Sequence, residues 1–314
     1  MRPFGEIFRR GMESAIANWP LILIRVAESI AVIAIVVMAV MAALVPLFVG
    51  AATGLPSIDN PEAFAEWVLG VSPLLVLFAI VVVSVVFGLA VLVHSFVTAG
   101  VFGVFAAAEN RAPEGGGRDW FRVFTPELWW INSKRFVWTY FWIYNIVWGV
   151  AALAMLLPLI PALIGAMLLR DSEMILIPTC LGIAATVAIG IVAGMVAIVW
   201  SHVAFAEAVR TGAGARESLR LAGVQMRRRG GAILLVVVSY FALSMVVGGF
   251  VAGFAFGLDA ANIIPGVGMA LIPFRIVLSL LNSLVSAAFG SWMIAAIVAT
   301  VFPPREVSNV PAAT

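Results

Sequence analysis

Arg25 and Glu28 stand three residues apart inside an apolar run, so a helix brings them to one face, where an unpaired charge in hydrocarbon is costly. Such a couple can neutralise itself inside a bundle, or it can pass a proton or a charged substrate along a path. His94 and His202 occupy comparable places near the ends of two later runs, each followed by a carboxylate, Glu109 and Glu207. Two imidazoles and a carboxylate can hold a metal where they converge, but neither His belongs to a His-Glu-x-x-His element. Hydrogen bonding at helix ends accounts for both, and the expectation is no metal and no cofactor. Asn282, with Ser283 and Ser286, lays a modest polar stripe on the last run, suited to bundle hydrogen bonds or to lining a path.

Other chemistry is weaker still. Ser201 beside His202 is too close in sequence to imply the geometry of a nucleophile and its base. The Gly115-Gly116-Gly117 run lacks the Lys-Ser or Lys-Thr of a phosphate loop and reads as a turn. The single cysteine, Cys180, allows no disulfide within the chain and no thiolate cluster. No arrangement points to catalysis, so enzyme activity has no support.

The elements that must position these residues are membrane spans. The chain has 314 residues, of which 63% are hydrophobic and 11% charged, whereas soluble domains carry roughly a quarter charged residues. Apolar runs cover about 20–49, 71–108, 136–169, 175–206, 232–258 and 269–301, each at or beyond the ~20 residues that cross hydrocarbon. The first run is too long for a signal-peptide core, so Arg2, Arg9 and Arg10 read as the anchor of a retained span. The second must tilt or project beyond His94. Pro158 and Pro161 should end or kink the third, and Pro265 with Pro273, around Gly266 and Gly268, suggest a tight connection or a short re-entrant element. The fold class is an all-α polytopic membrane protein with six spans, forming one integral membrane domain over residues 1–314.

Charge sets its orientation. All of the 18 Lys and Arg residues except Arg25, Arg170 and Arg275 fall on the two ends or in alternate connections. By the positive-inside rule that side is cytosolic, which puts both termini in the cytosol of a prokaryote with a multi-pass protein in its inner membrane. Trp19, Trp129, Trp130 and Trp138 lie near that surface and Trp67 near the other, as headgroup-level rings do. The rings of Tyr140, Phe141, Trp142, Tyr144 and Trp148 are explained by lipid contact and helix packing.

Trp120, Phe121, Arg122, Glu127 and Asn132 follow nearly the spacing of Ile7, Phe8, Arg9, Glu13 and Asn18, and Arg118 with Arg122 recurs as Arg216 with Arg220. Three parallel repeats, 4–108, 118–206 and 213–301, each with a short interfacial helix and two spans, would account for this. Amphipathic helices are expected over Phe8–Ile16, Trp120–Trp130 and Ala215–Met226, with Arg118, Arg122, Arg216, Arg220, Arg227, Arg228 and Arg229 reaching anionic headgroups. Basic groups so dispersed do not suggest nucleic acid. Gly190 with Gly194, and Gly249 with Gly253, offer spacings for close helix approach.

At Phe105–Arg122 and Phe205–Arg220 the chain resembles uncharacterised prokaryotic multi-span families related to the membrane domain attached to some glycerophosphodiester phosphodiesterases. The resemblance transfers no catalytic residue, and it implies a lipid-associated or envelope-associated accessory role. The expected function is an accessory or scaffold contacting anionic lipid, with a membrane or cytosolic protein as a further partner. The alternatives are a small-solute or lipid transporter and a membrane-embedded lipid enzyme.

Overall fold

The computed structural model describes residues 2–51, 73–168, 174, 176–260 and 271–303. Among them run α1 (Phe4–Ala17), α2 (Pro20–Ala51), α3 (Pro73–Arg111), a 3-10 turn (Arg118–Phe121), α4 (Pro126–Leu156), α5 (Leu159–Leu168), α6 (Leu176–Thr211), α7 (Ala215–Ala260) and α8 (Ile272–Val301). Six stretches, Pro20–Ala42, Leu77–Arg111, Pro126–Leu168, Leu176–Thr211, Ala215–Phe254 and Pro273–Val301, are long and apolar enough to cross a membrane. The protein is therefore an all-α, multi-span integral membrane protein. The residues Asp59, Glu62, Glu66 and Trp67, then Arg170, Asp171 and Glu173, then Pro265, Gly266 and Gly268, and Arg305 lie outside the described residues.

The chain forms two compact units, residues 25–94 and residues 1–24 with 95–314. The smaller consists of the stretches of α2 and α3 that leave apolar side chains such as Ile33, Met38, Val85 and Phe87 exposed, as lipid-facing surface requires.

In the larger unit α8 is central: 72% of its most apolar window is buried. Its last ten residues, from Trp292 to Val301, meet Ile7 of α1, Phe102 and Phe105 of α3, Phe205 of α6 and Ile233 of α7 in one hydrophobic cluster. These contacts gather at one end of the unit, here termed the base. Tyr140 of α4 stacks on Phe205 with ring centroids 4.2 Å apart, and its hydroxyl donates to the Phe205 carbonyl at 2.8 Å. Trp138 and Trp142 of the same helix are exposed, so the aromatic run of α4 divides between core and lipid.

Several local expectations change. α1 is amphipathic, with Gly5, Arg9 and Ile16 exposed, and its other face packs on protein. Its face of Ile7, Arg10, Gly11, Ser14 and Ala15 is buried, and a Cβ on Gly11 would stand 2.9 Å from Cβ of Ala296 in α8. The segment Trp120–Trp130 is not one helix. After the 3-10 turn the chain is extended at Arg122, and α4 starts at Pro126 with Thr125 as N-cap, its hydroxyl accepting from Leu128 N–H at 3.1 Å. Pro126 holds Thr125 extended and tolerates the first helical position, which fixes this boundary. Ala215–Met226 is no separate element either, since it forms the first turns of a helix of 46 residues that at ~1.5 Å per residue is ~69 Å long, over twice the ~30 Å of hydrocarbon.

The part of α3 beyond His94 is packed in protein, with Ala99, Val101, Phe102, Val104 and Ala108 fully buried. Pro158 interrupts the third span between α4 and α5. A close helix approach falls at Gly190, where an added Cβ would stand 2.9 Å from Cε of Met155, and others fall at Gly100 and Gly103, where it would meet Trp129 and Asn132 within 2.4 Å; at Gly194, Gly249 and Gly253 it would meet nothing within 4 Å.

Candidate functional site

The base is built around charges that the membrane-anchor reading of the N-terminus missed. Arg10 is fully buried: Nε donates to Glu109 Oε1 at 3.1 Å, Nη1 to the Pro113 carbonyl at 3.0 Å and Nη2 to the Ala112 carbonyl at 3.3 Å. The ring of Phe121 lies 5.0 Å from its guanidinium carbon. Arg2 donates to the Ala299 carbonyl at 2.6 Å and forms ion pairs with Glu109 at 2.7 Å and Glu114. Arg229 of α7 donates to the Thr300 carbonyl. The carbonyls at the C-terminal ends of α3 and α8, which have no partner within their own helices, thus receive donors from α1, the N-terminal residues and α7.

Asn18 completes the base. Its amide nitrogen donates to the carbonyls of Ser14 (2.9 Å) and Phe121 (2.8 Å), and its oxygen accepts from the backbone N–H groups of Val123 (3.2 Å) and Phe124 (2.9 Å). One buried amide therefore ties the end of α1 to the extended segment before α4.

The seven headgroup candidates divide. Arg118, Arg122, Arg216, Arg220, Arg227 and Arg228 are exposed, Arg220 being paired with Glu217 on its own helix at 2.6 Å. Arg229 is half-buried and engaged by α8. The intramembrane candidates divide as well. Glu28 does not pair with Arg25. Its Oε1 lies 2.5 Å from Nδ1 of His94, within the smaller unit. A partner on a neighbouring helix thus displaces the local option three residues away. His202 turns Nδ1 to the Ile198 carbonyl at 2.7 Å and packs its ring near Phe102 and Phe205. Asn282 is half-buried on α8. Among the described residues no three His, Cys, Asp or Glu side chains gather as a metal site would need.

A groove of about 740 Å³ opens between α4, α6 and the start of α7. Its wall is apolar: Val147, Val150 and Ala151 of α4 face Val192 and Val196 of α6, and Trp200 with Leu219 closes the end toward the base.

No family model, no curated protein and no solved structure matches this chain.

Two predictions follow from the ion-pair network. Replacing Arg10 with Met leaves Glu109 short of a partner in a buried site, a change that typically costs about 3–5 kcal/mol. The thermal midpoint followed by tryptophan fluorescence should fall steeply, and the Arg10→Met/Glu109→Met double variant should recover part of the loss. Equal loss in both proteins would show that shape, not charge, governs the site. The second concerns pH. Burial, then the hydrogen bond and charge of Glu114, push the Glu6 carboxyl up, while the hydrogen bond from Arg2 holds Glu114 below the usual carboxylate range. The stability that depends on protonated Glu6 is present at low pH and lost as pH rises through its raised value. That owed to ionised Glu114 is lost only as pH falls through its lowered value. Glu6→Gln should therefore raise the thermal midpoint at pH 7 and converge with the native protein near pH 4. A gap that persists at pH 4 would remove Glu6 titration as the cause.

Proposed function

We propose that the protein is an accessory or scaffold of a prokaryotic cytoplasmic membrane, with its base and both termini on the cytosolic side, that gathers anionic phospholipid around the base. The observation that carries this reading is the division of labour among the arginines. Arg2, Arg10 and Arg229 serve the interior, whereas six others project from a well-packed base with no packing role that would require them. Exposed cations at a membrane surface attract anionic headgroups by about 1 kcal/mol each.

The apolar groove supports the same reading, because its almost wholly apolar wall suits an acyl chain and not a hydrated solute. From Ala188 to Trp200 it follows α6 for ~18 Å at ~1.5 Å per residue, close to the ~15 Å of one leaflet. Exposed Arg216 stands one helical turn before Leu219, the residue of α7 that lines the groove, and would be the nearest of these cations to a headgroup there. A protein partner would meet the same basic surface. The resemblance to phosphodiesterase membrane domains would add an envelope setting, and the burial of Phe105 and Phe205 in one cluster supports reading their segments as repeats.

Extraction into polymer discs that retain native lipid tests the proposal. The anionic-to-zwitterionic ratio around the native protein should exceed that of the bulk membrane, and the Arg118→Gln/Arg122→Gln/Arg216→Gln/Arg227→Gln variant should lose at least half of the excess. An unchanged ratio would sink the lipid reading.

A transporter is the second reading, favoured by the Glu28–His94 couple. In a Cys180→Ala background, single cysteines replacing Arg25, Glu28, His94, His202 and Asn282 would label from the aqueous phase as a connected set if a solute path exists. Protection of all five would count against transport.

A further inference from the structure

A second, smaller cavity of about 230 Å³ lies inside the base, where the N-terminal residues, α7 and the last turn of α8 meet, with Arg2, Arg228, Arg229, Gly231, Ala299 and Phe302 among its lining. This volume is below the ~300–1,000 Å³ of ordinary small-molecule sites, so it suits a single compact group. Charge decides which kind. Arg2 and Arg10 are answered by Glu109 and Glu114, and Arg210 by Glu207 at 2.6 Å. Arg229 is bonded only to a carbonyl, Thr300, which carries no formal charge. Arg228 is exposed and makes no hydrogen bond or ion pair among the described residues. Arg2, Arg210 and Arg228 all act repulsively on Arg229, and Glu207, already paired, offsets only part of this.

The α8 carbonyls that would repel an anion are already engaged. Those of Ala299 and Phe302 accept from Arg2 and that of Thr300 from Arg229. What faces the cavity in excess is guanidinium, whose planar fork matches phosphate oxygens two at a time.

We propose that this cavity is a binding site for a phosphate group, either free or carried as the headgroup of a phospholipid, held by Arg228 and Arg229 with Arg2 behind them. It is a discrete, saturable site, unlike the diffuse headgroup contact on the outer arginines. Two variants test it without disturbing the ion-pair network. Arg228→Gln removes the uncommitted cation. Gly231→Met fills the cavity and leaves every guanidinium in place, since a Cβ at Gly231 would meet nothing within 4 Å.

The full chain in discs of phosphatidylcholine, titrated with inorganic phosphate against chloride at matched ionic strength, should show a saturable rise in thermal midpoint. Arg228→Gln should need about tenfold more phosphate, as expected for a lost charge-assisted hydrogen bond, and Gly231→Met should not respond. If soluble phosphate has no effect but doping the discs with phosphatidic acid or phosphatidylglycerol gives a rise that both variants abolish, the source is a lipid headgroup and the site stands. Absence of both responses, or equal responses in all three proteins, overturns it. Should Gly231→Met fail to fold, the Arg228→Gln titration decides alone. The quadruple Gln variant of the outer arginines should keep the phosphate response, so the failure of the lipid-gathering reading and the failure of this site are separable.

Discussion

Helices that end against protein present carbonyl oxygens that are shielded from water, and among the described residues the ends of α3 and α8 do so side by side in the base. Leaving them bare would cost ~1–3 kcal/mol for each buried acceptor. Arg10 answers α3 at Ala112 and Pro113, while Arg2 and Arg229 answer α8 at Ala299, Thr300 and Phe302. The buried cations then need counter-charge, which Glu109 and Glu114 supply. The position of α1 against α8, the small residues on its inner face and the fixed course of the chain through Asn18 all serve this one requirement.

That arrangement separates two environments along the same helices. In the base, side chains interdigitate around Phe102, Tyr140, Phe205 and Trp292, a setting in which dispersion and exclusion of water both contribute. Farther along α4, α6 and α7 the apolar side chains face outward, where lipid tails replace protein and add little drive for association. Specificity of the fold therefore resides in the base, and the apolar groove between α4 and α6 lies beyond it.

The six spans were legible in the sequence because length and mean hydropathy are local sums that need no knowledge of a partner. The break at Pro158 was legible for the same reason. The role of Arg10 was not, because Glu109 lies 99 residues away and an arginine near the start of a span reads equally well as a surface anchor. A signal was nevertheless present: Gly11, Ser14 and Ala15 share the face of Arg10, and small residues beside a cation mark a helix meant to be approached closely, not one afloat in headgroups. Glu28 misled in the converse way. Its i−3 neighbour Arg25 offered a local pair, while His94, 66 residues on, provides the actual one. Of the headgroup candidates, all but Arg229 lie exposed, since a run of arginines read as sequence does not reveal which member meets the end of another helix.

The contact between Arg2 and the final turn of α8 joins positions 297 residues apart. At ~5–20 residues per second of synthesis, Arg2 exists for roughly 15–60 s before the carbonyl it caps has been made, and Arg10 likewise precedes Glu109. During elongation the first helix must wait without its partners, and the last span to be made is the keystone that lets it dock. Interrupted translation would leave a ribosome-bound product with its spans threaded and its base open, a form that quality-control proteases could distinguish from the finished protein.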